Sequence, residues 1–277
     1  MSDEASWLLQ TNIQLNQQSI SYLNPDCFTA LTQLTSLRLD ENNIGCLDPN
    51  LFIDLINLER LDMSSNVLST IDSTFLNKLM SLKYLNLNNN QLQNLNPSPF
   101  DSLIGLNQLY LAGNQLKSLD SATFINLIDL NVLDLSFNEL AYLDPSLLNS
   151  LKNLNTLSLD DNQLESIDPS LLNTLDNLGT LDVSNNLLTY LDPKSFLNLK
   201  QLKKLDISFN NLLTISPSVF TNIGNINPIE IYIYENPVAS SGQSIDYLCN
   251  SSCTLFCSFN STRNSFDLCL GKKKLFF

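Results

Sequence analysis

The side chains able to do chemistry here are carboxylates, cysteines and amides, because the sequence contains no histidine. Without imidazole there is no Ser–His or Cys–His pair and no imidazole ligand for zinc. Carboxylates do adjoin, as in Asp160-Asp161. General acid catalysis by such a pair needs a desolvated cleft, and carboxylates on an open surface stay solvated and ionised. The seven glycines are scattered, so no phosphate-cradling loop is formed. These residues point to a chain that is not an enzyme and needs no cofactor and no metal.

Four of the six cysteines, Cys249, Cys253, Cys257 and Cys269, cluster near the C-terminus. An even set of four closing a domain reads as two disulfides of open connectivity. A zinc site and a set of free thiols are the alternatives, although C-x3-C-x3-C matches zinc spacing poorly. Cys27 and Cys46 are expected as free thiols. Asn250-Ser251-Ser252 and Asn260-Ser261-Thr262 are glycosylation sequons, so Asn250 and Asn260 are candidate acceptors.

The elements that position these residues come from an internal repeat. From Gln10 the chain divides into nine equal 24-residue blocks, beginning at 10, 34, 58, 82, 106, 130, 154, 178 and 202. The first residue of each block is position 0. Position 3 reads Ile13, Leu37, Leu61, Leu85, Leu109, Leu133, Leu157, Leu181 and Leu205. Position 5 is also aliphatic or Met throughout. Positions 3 to 5 thus alternate apolar, polar, apolar, which predicts a short strand with one buried face. Position 8 is Gln18 in the first block and then Asn42, Asn66, Asn90, Asn114, Asn138, Asn162, Asn186 and Asn210. Its amide both donates and accepts, so it is expected to satisfy backbone groups of the turn leaving the strand. Position 18 is Phe in six blocks and Leu in three, which predicts an aromatic spine. Asp-Pro at Asp48, Asp144, Asp168 and Asp192 places an N-cap before a first helical residue. Each return leg is therefore expected to open a short helical turn.

These blocks resemble the typical 24-residue leucine-rich repeat, LxxLxLxxNxLxxLxxxxFxxLxx. Leu133-Asp134-Leu135-Ser136-Phe137-Asn138 is similar to repeats of Toll-like receptors, Slit proteins and small leucine-rich proteoglycans. The resemblance implies an α/β leucine-rich-repeat solenoid. It would be a right-handed β/α superhelix, a horseshoe, with a parallel concave sheet and short helical or irregular convex segments. It also implies an extracellular or cell-surface setting. Residues 1–9 then form a short or truncated N-terminal flank, and 10–238 the array of nine repeats plus a final strand. Residues 239–277 form a Cys-rich cap and tail. Trp7 falls where position 21 of a preceding block would lie, so the chain either begins inside a repeat or caps it with Trp7, Leu8 and Leu9. The last strand, around Ile231-Tyr232-Ile233, is displaced by two residues from the 24-residue register.

The net charge of −14 lies within the array. That argues against nucleic acid, which requires clustered Lys and Arg, and towards a protein ligand, a basic one included. No apolar run is long enough for a membrane span. The concave-face candidates are Tyr84, Tyr110, Val132, Asp134, Phe137, Asp160, Asp161, Asp182, Asp206 and Phe209. Aromatic residues near the middle of a face are hot-spot candidates, and the carboxylates suit a cationic ligand. The functional expectation is a protein-recognition module, such as part of a receptor ectodomain. An intracellular scaffold and a matrix protein binding cations or fibrous protein are the alternatives.

Overall fold

The computed structural model describes residues 6–220, 223, 229–240, 253–260 and 265–268. The chain divides into two compact units, Met1–Glu139 and Leu140–Phe277. In the first, strands β1 (Asn12–Gln14), β2 (Ser36–Arg38), β3 (Arg60–Asp62), β4 (Tyr84–Asn86), β5 (Gln108–Tyr110) and β6 (Val132–Asp134) pair in parallel, each one repeat on from the last. In the second, β7 (Thr156–Ser158), β8 (Thr180–Asp182) and β9 (Lys204–Asp206) continue the same spacing. Strand β10 (Ile229–Tyr232) pairs with β9 in parallel, with Ile231 opposite Leu205, the two-residue displacement visible in the sequence. Strand β11 (Cys253–Asn260) pairs with β10 in parallel and with β12 (Ser265–Leu268) antiparallel.

The strands occupy positions 2 to 4, one residue earlier than the alternation suggests, with the central residue buried and its neighbours facing out. Backbone pairing runs on beyond the strand, as in Leu39 N–H to Asp62 O (2.8 Å) and Glu41 N–H to Ser64 O (2.9 Å). Position 7 then turns with positive φ in coil after coil, including Glu41, Asn89, Gly113, Asp161 and Asn185. Only Gly113 is the residue type that favours this region. The turn swings position 8 inward. Asn114 there donates to Leu87 O (3.1 Å) and Leu111 O (2.9 Å) and accepts from Leu92 N–H (3.0 Å). The same pattern joins coils at Asn42, Asn66, Asn90 and Asn138. In the second unit it recurs at Asn162, Asn186 and Asn210.

The expected α/β architecture with a helical convex side is corrected. Among the described residues there is no helix of seven residues or more, and each unit is a parallel β-solenoid. The helical pieces among the described residues include two 3-10 turns, Pro169–Leu172 and Pro217–Phe220, and a four-residue α turn, Pro237–Ser240. The Asp caps form as expected, with Asp48 and Asp168 accepting from the N–H two residues on at 2.8 Å. Beyond the Asp48 cap runs a chain of i to i−3 bonds, Leu51 to Asp48, Ile53 to Asn50 and Leu55 to Phe52. An α-helix is about 10–12 Å across with its side chains. Coils stacked at about 4.8 Å by their strands would have to splay apart to hold one on every return leg, whereas tight turns stack without splaying.

The core is the column of buried leucines, with rings at its far side. Phe28 stacks towards Phe52 (6.0 Å), and Phe52 towards Phe75 (4.7 Å). Where position 18 is Leu76, the ring comes from position 17 instead, and both residues are buried. Replacing Asn114 by Ala removes both donors and the acceptor from a buried site. With about 1–3 kcal/mol lost per unmet buried group, Asn114→Ala is expected to lower unfolding stability by at least about 3 kcal/mol, measured by urea denaturation. Gln91→Ala, at the exposed position just after the ladder residue Asn90, should cost well under half of that.

Candidate functional site

The outward face in Met1–Glu139 is set by positions 2, 4, 6 and 7. Consecutive coils put Arg60, Tyr84 and Tyr110 side by side. The Arg60 guanidinium lies 3.5 Å above the centre of the Tyr84 ring, and the Tyr84 and Tyr110 rings are 5.3 Å apart at 45°. A cation over an aromatic face and a tilted ring pair are both attractive, so three residues from three coils form one stack. Tyr110 donates to Gln108 Oε1 (3.3 Å). Burial pushes the Tyr110 phenol above its usual range, helped by Tyr84 and Asp134 and opposed by Arg60.

The charges around this stack are largely matched. Arg38 holds Asp40 through two bonds of 3.0 and 2.9 Å, and Arg60 lies 3.7 Å from Asp62. Asp40 and Asp62 are buried. Asp134, half-buried, accepts from the Ser136 N–H (3.0 Å) and hydroxyl (2.7 Å). Val132 is half-buried on the same face. Phe137 is 58% exposed and sits at the left-handed turn with φ 53°. A bulky residue at positive φ costs about 1–2 kcal/mol, and the core does not use this ring.

In Leu140–Phe277 the equivalent face is acidic. Asp182 accepts from Ser184 N–H (3.0 Å) and Oγ (2.6 Å), and Asp206 binds the Ser208 N–H (3.1 Å) and hydroxyl in the same way. Asp161 accepts from Asn185 Nδ2 (3.4 Å), and Asp160 is half-buried beside it. Burial raises the Asp161 carboxyl above the usual range, with Asn185 lowering it and Asp182 raising it further. Strand β10 adds a second aromatic group. Phe209 meets Tyr234 edge to face at 5.3 Å, Tyr232 meets Tyr234 at 6.4 Å, and Lys204 Nζ lies 5.3 Å from the Tyr232 ring centre. Burial and the bond to Glu230 (3.0 Å) push the Tyr232 phenol up to about 12.

The residues singled out by the sequence therefore divide between the units. Tyr84 and Tyr110 touch, whereas Asp160, Asp161, Asp182, Asp206 and Phe209 belong to the second unit. Arg60 follows from position 2 of the repeat as an outward residue although it is not among the candidates, whereas Tyr232 and Tyr234 are outward-face residues that sequence reasoning misses. Shifting the last strand by two residues would have placed Tyr232 at position 4, opposite Asp206. Asn236 also joins the amide ladder, donating to Ile207 O (2.8 Å) and Ile233 O (3.1 Å). Among the described residues no group of three or more His, Cys, Asp or Glu could hold a metal ion. Cys27 and Cys46 are free thiols. Cys253 and Cys257 lie on β11, Asn260 ends it, and Cys249, Cys269 and Asn250 lie outside the described residues. No described helix is long and apolar enough to cross a membrane.

Asp206 gives a signed prediction. It is 8% exposed. Burial raises its carboxyl above the usual range, with the Ser208 bond lowering it, Asp182 raising it and Lys204 lowering it. A raised folded-state value favours the protonated form, so its stabilising effect is present at low pH and lost as pH rises through that value. Asp206→Asn mimics the protonated form. It is expected to melt above the parent at pH 7, with the gap closing by about pH 3, below the unfolded carboxylate value. Thermal melts across that range check it; a gap that stays constant with pH rejects it.

Comparison with known proteins agrees with this geometry. The leucine rich repeat family matches residues 11–68, 56–116, 104–164, 152–212 and 176–231. No curated protein matches the chain. Among solved structures, the crystal structure of a TLR13–ssRNA13 complex is similar, with 25% identity and a TM-score of 0.72. The likeness covers 89% of this chain and 36% of that one, so this chain spans little more than a third of its relative. The expectation of a protein ligand with nucleic acid excluded is corrected by this likeness. A similar solenoid was solved as a complex with ssRNA, so net charge summed over a chain does not decide what one face holds. Side chains that meet the ligand decide it, and the matched charges around Arg60 were invisible to a sum. With its 24-residue coils, its amide ladder and an open face suited to holding a ligand, this chain belongs to the leucine-rich repeat family.

Proposed function

We propose that the chain binds its ligand on the outward sheet face, and that in Met1–Glu139 this ligand is single-stranded RNA. The observation that carries the proposal is the Arg60–Tyr84–Tyr110 stack. Single-stranded nucleic acid is held by stacking of bases on aromatic and guanidinium planes, with amides reading base edges. Gln108 and Asn86 lie in register with Tyr84 and Tyr110. The RNA named with the similar structure supports the same ligand class. Tyr110, Val132, Asp134 and Phe137 extend the proposed contact. Asp160, Asp161, Asp182, Asp206 and Phe209 form a separate face for cationic groups in the second unit.

Arg38 and Arg60 supply the positive charge on the strands of the first face, so binding should depend on stacking more than on counterion release. Each phosphate contact with a single strand contributes about −0.7 to the salt slope. The slope of log affinity against log salt is therefore expected to be no steeper than about −1.5. Fluorescence anisotropy with labelled single-stranded RNA measures both quantities. Tyr84→Ala and Tyr110→Ala should each weaken binding by about 1–3 kcal/mol, the range for one stacked base. Absence of any anisotropy change, or equal affinity in the double variant, rejects the reading. A protein ligand that loses affinity in the same variants would reassign the site.

An extracellular or cell-surface setting is part of the proposal, and the cysteines test it. Oxidising compartments favour disulfides. With Cys249, Cys253, Cys257 and Cys269 paired, alkylation of the unfolded, unreduced secreted protein should label two of the six cysteines, Cys27 and Cys46. Reduction should raise this to six. Six labelled thiols without reductant would place the protein in a reducing compartment.

A further inference from the structure

Position 12 of the repeat lies away from the sheet face and varies freely, except for a pattern in Leu140–Phe277. There it reads Tyr142, Ser166 and Tyr190 in three consecutive coils. The two tyrosines are 61% and 57% exposed, so most of each ring lies outside the core. Ser166 between them is exposed and carries no ring. The result is a cavity of about 270 Å³ with tyrosines as walls. Its floor is the buried Leu143, Leu164 and Ile167. Asp168 and Asp192 stand at its rim. Each uses Oδ1 to cap its own turn, at 2.8 Å from Ser170 N and Lys194 N, and so keeps a second carboxylate oxygen as an acceptor.

Shape and chemistry select the occupant. Side chains two coils apart are separated by about 9.5 Å or more. A flat ring touching both walls would need them about 7 Å apart, two contacts of about 3.5 Å. A flat aromatic ring would reach one wall only. Two rim carboxylates repel anions, and an apolar floor suits no metal ion. What fits is a small puckered ring with apolar C–H faces towards the tyrosines and hydroxyl donors at its edge for Asp168 and Asp192. The volume, below the roughly 300–1,000 Å³ of drug-sized sites, holds one such ring. We propose that the Tyr142–Ser166–Tyr190 slot is a binding site for a pyranose ring of a neutral carbohydrate. This site is independent of the sheet face and of the ligand assigned there.

Saturation-transfer NMR on the full chain tests it with methyl α-glucopyranoside, methyl β-galactopyranoside and N-acetylglucosamine as probes, and indole as the flat-ring control. Transfer to the ring C–H protons of at least one pyranoside is expected. It should fall at least tenfold in Ser166→Tyr, which fills the slot, and in Tyr190→Ala, which removes a wall. Both positions are exposed, so circular dichroism and melting temperature should be unchanged. Tyr142→Ala supplies the same readout from the other wall should either variant fold poorly. The proposal is overturned if no pyranoside receives transfer, if transfer survives Ser166→Tyr, or if indole receives it in preference to the sugars.

Discussion

Each 24-residue coil leaves many backbone groups with no partner of its own, and one buried asparagine per coil supplies what is missing. In the coil of Asn66, the amide donates to Met63 O at 3.1 Å and to Leu39 O of the preceding coil at 2.9 Å, while its carbonyl accepts from Ile44 N–H at 2.9 Å. Every one of these groups is buried. Left unpaired, each would cost a substantial fraction of the stability of a domain this size. The amide works only because it donates and accepts at once. Aspartate would lack the donors and leucine both functions. The leucine columns supply most of the favourable burial, but their packing alone would allow neighbouring coils to slip. The amide bonds set which residue of one coil meets which residue of the next.

That fixed register makes a face out of isolated positions. Arg60, Tyr84 and Tyr110 come from three successive coils and are distant in sequence. The pairing of Arg60 with Tyr84 and of Asn86 with Tyr110 nevertheless brings the three side chains into contact. The same holds for Asp182 and Asp206, which are adjacent in register and share a field that raises the Asp206 carboxyl. The two units use one scaffold with different outward residues. One carries matched charges, amides and a cation–aromatic stack; the other carries carboxylates with aromatic rings along one side.

Much of this was legible in the sequence because the repeat states it nine times. The buried strand residues, the amide ladder as far as Asn210 and the two-residue displacement before β10 all follow from reading block against block. Three features were not legible. Asp-Pro at Asp168 reads as a helix start, and the cap does form, but the close stacking of coils cuts the helix to a turn. The left-handed turn at position 7 is filled by Gln, Glu, Ser, Asn, Phe and Asp. Only Gly113 announces it, since the conformation is imposed by inter-coil bonds and not by residue preference. Contacts such as Arg60 over Tyr84 depend on rotamers across coils, which periodicity does not encode.

The same division between scaffold and surface explains why one kind of repeat can serve more than one site. Positions 3, 5, 8, 10 and 21 are held by burial and by the ladder, so substitutions there are felt by neighbouring coils. Positions 7 and 12 bear little of this load. Phe137 and Tyr142 belong to one 24-residue block and lie outside the core at 58% and 61% exposure. An exposed ring contributes little burial, and at Phe137 the backbone is also strained by its positive φ. Folding alone gives no reason for large aromatic residues at these places, and small polar residues would satisfy the same backbone at lower cost. Their presence is therefore better explained by contact with something outside the chain. The reasoning applies separately to each ring, so loss of a ligand from one site would not weaken the case for the other.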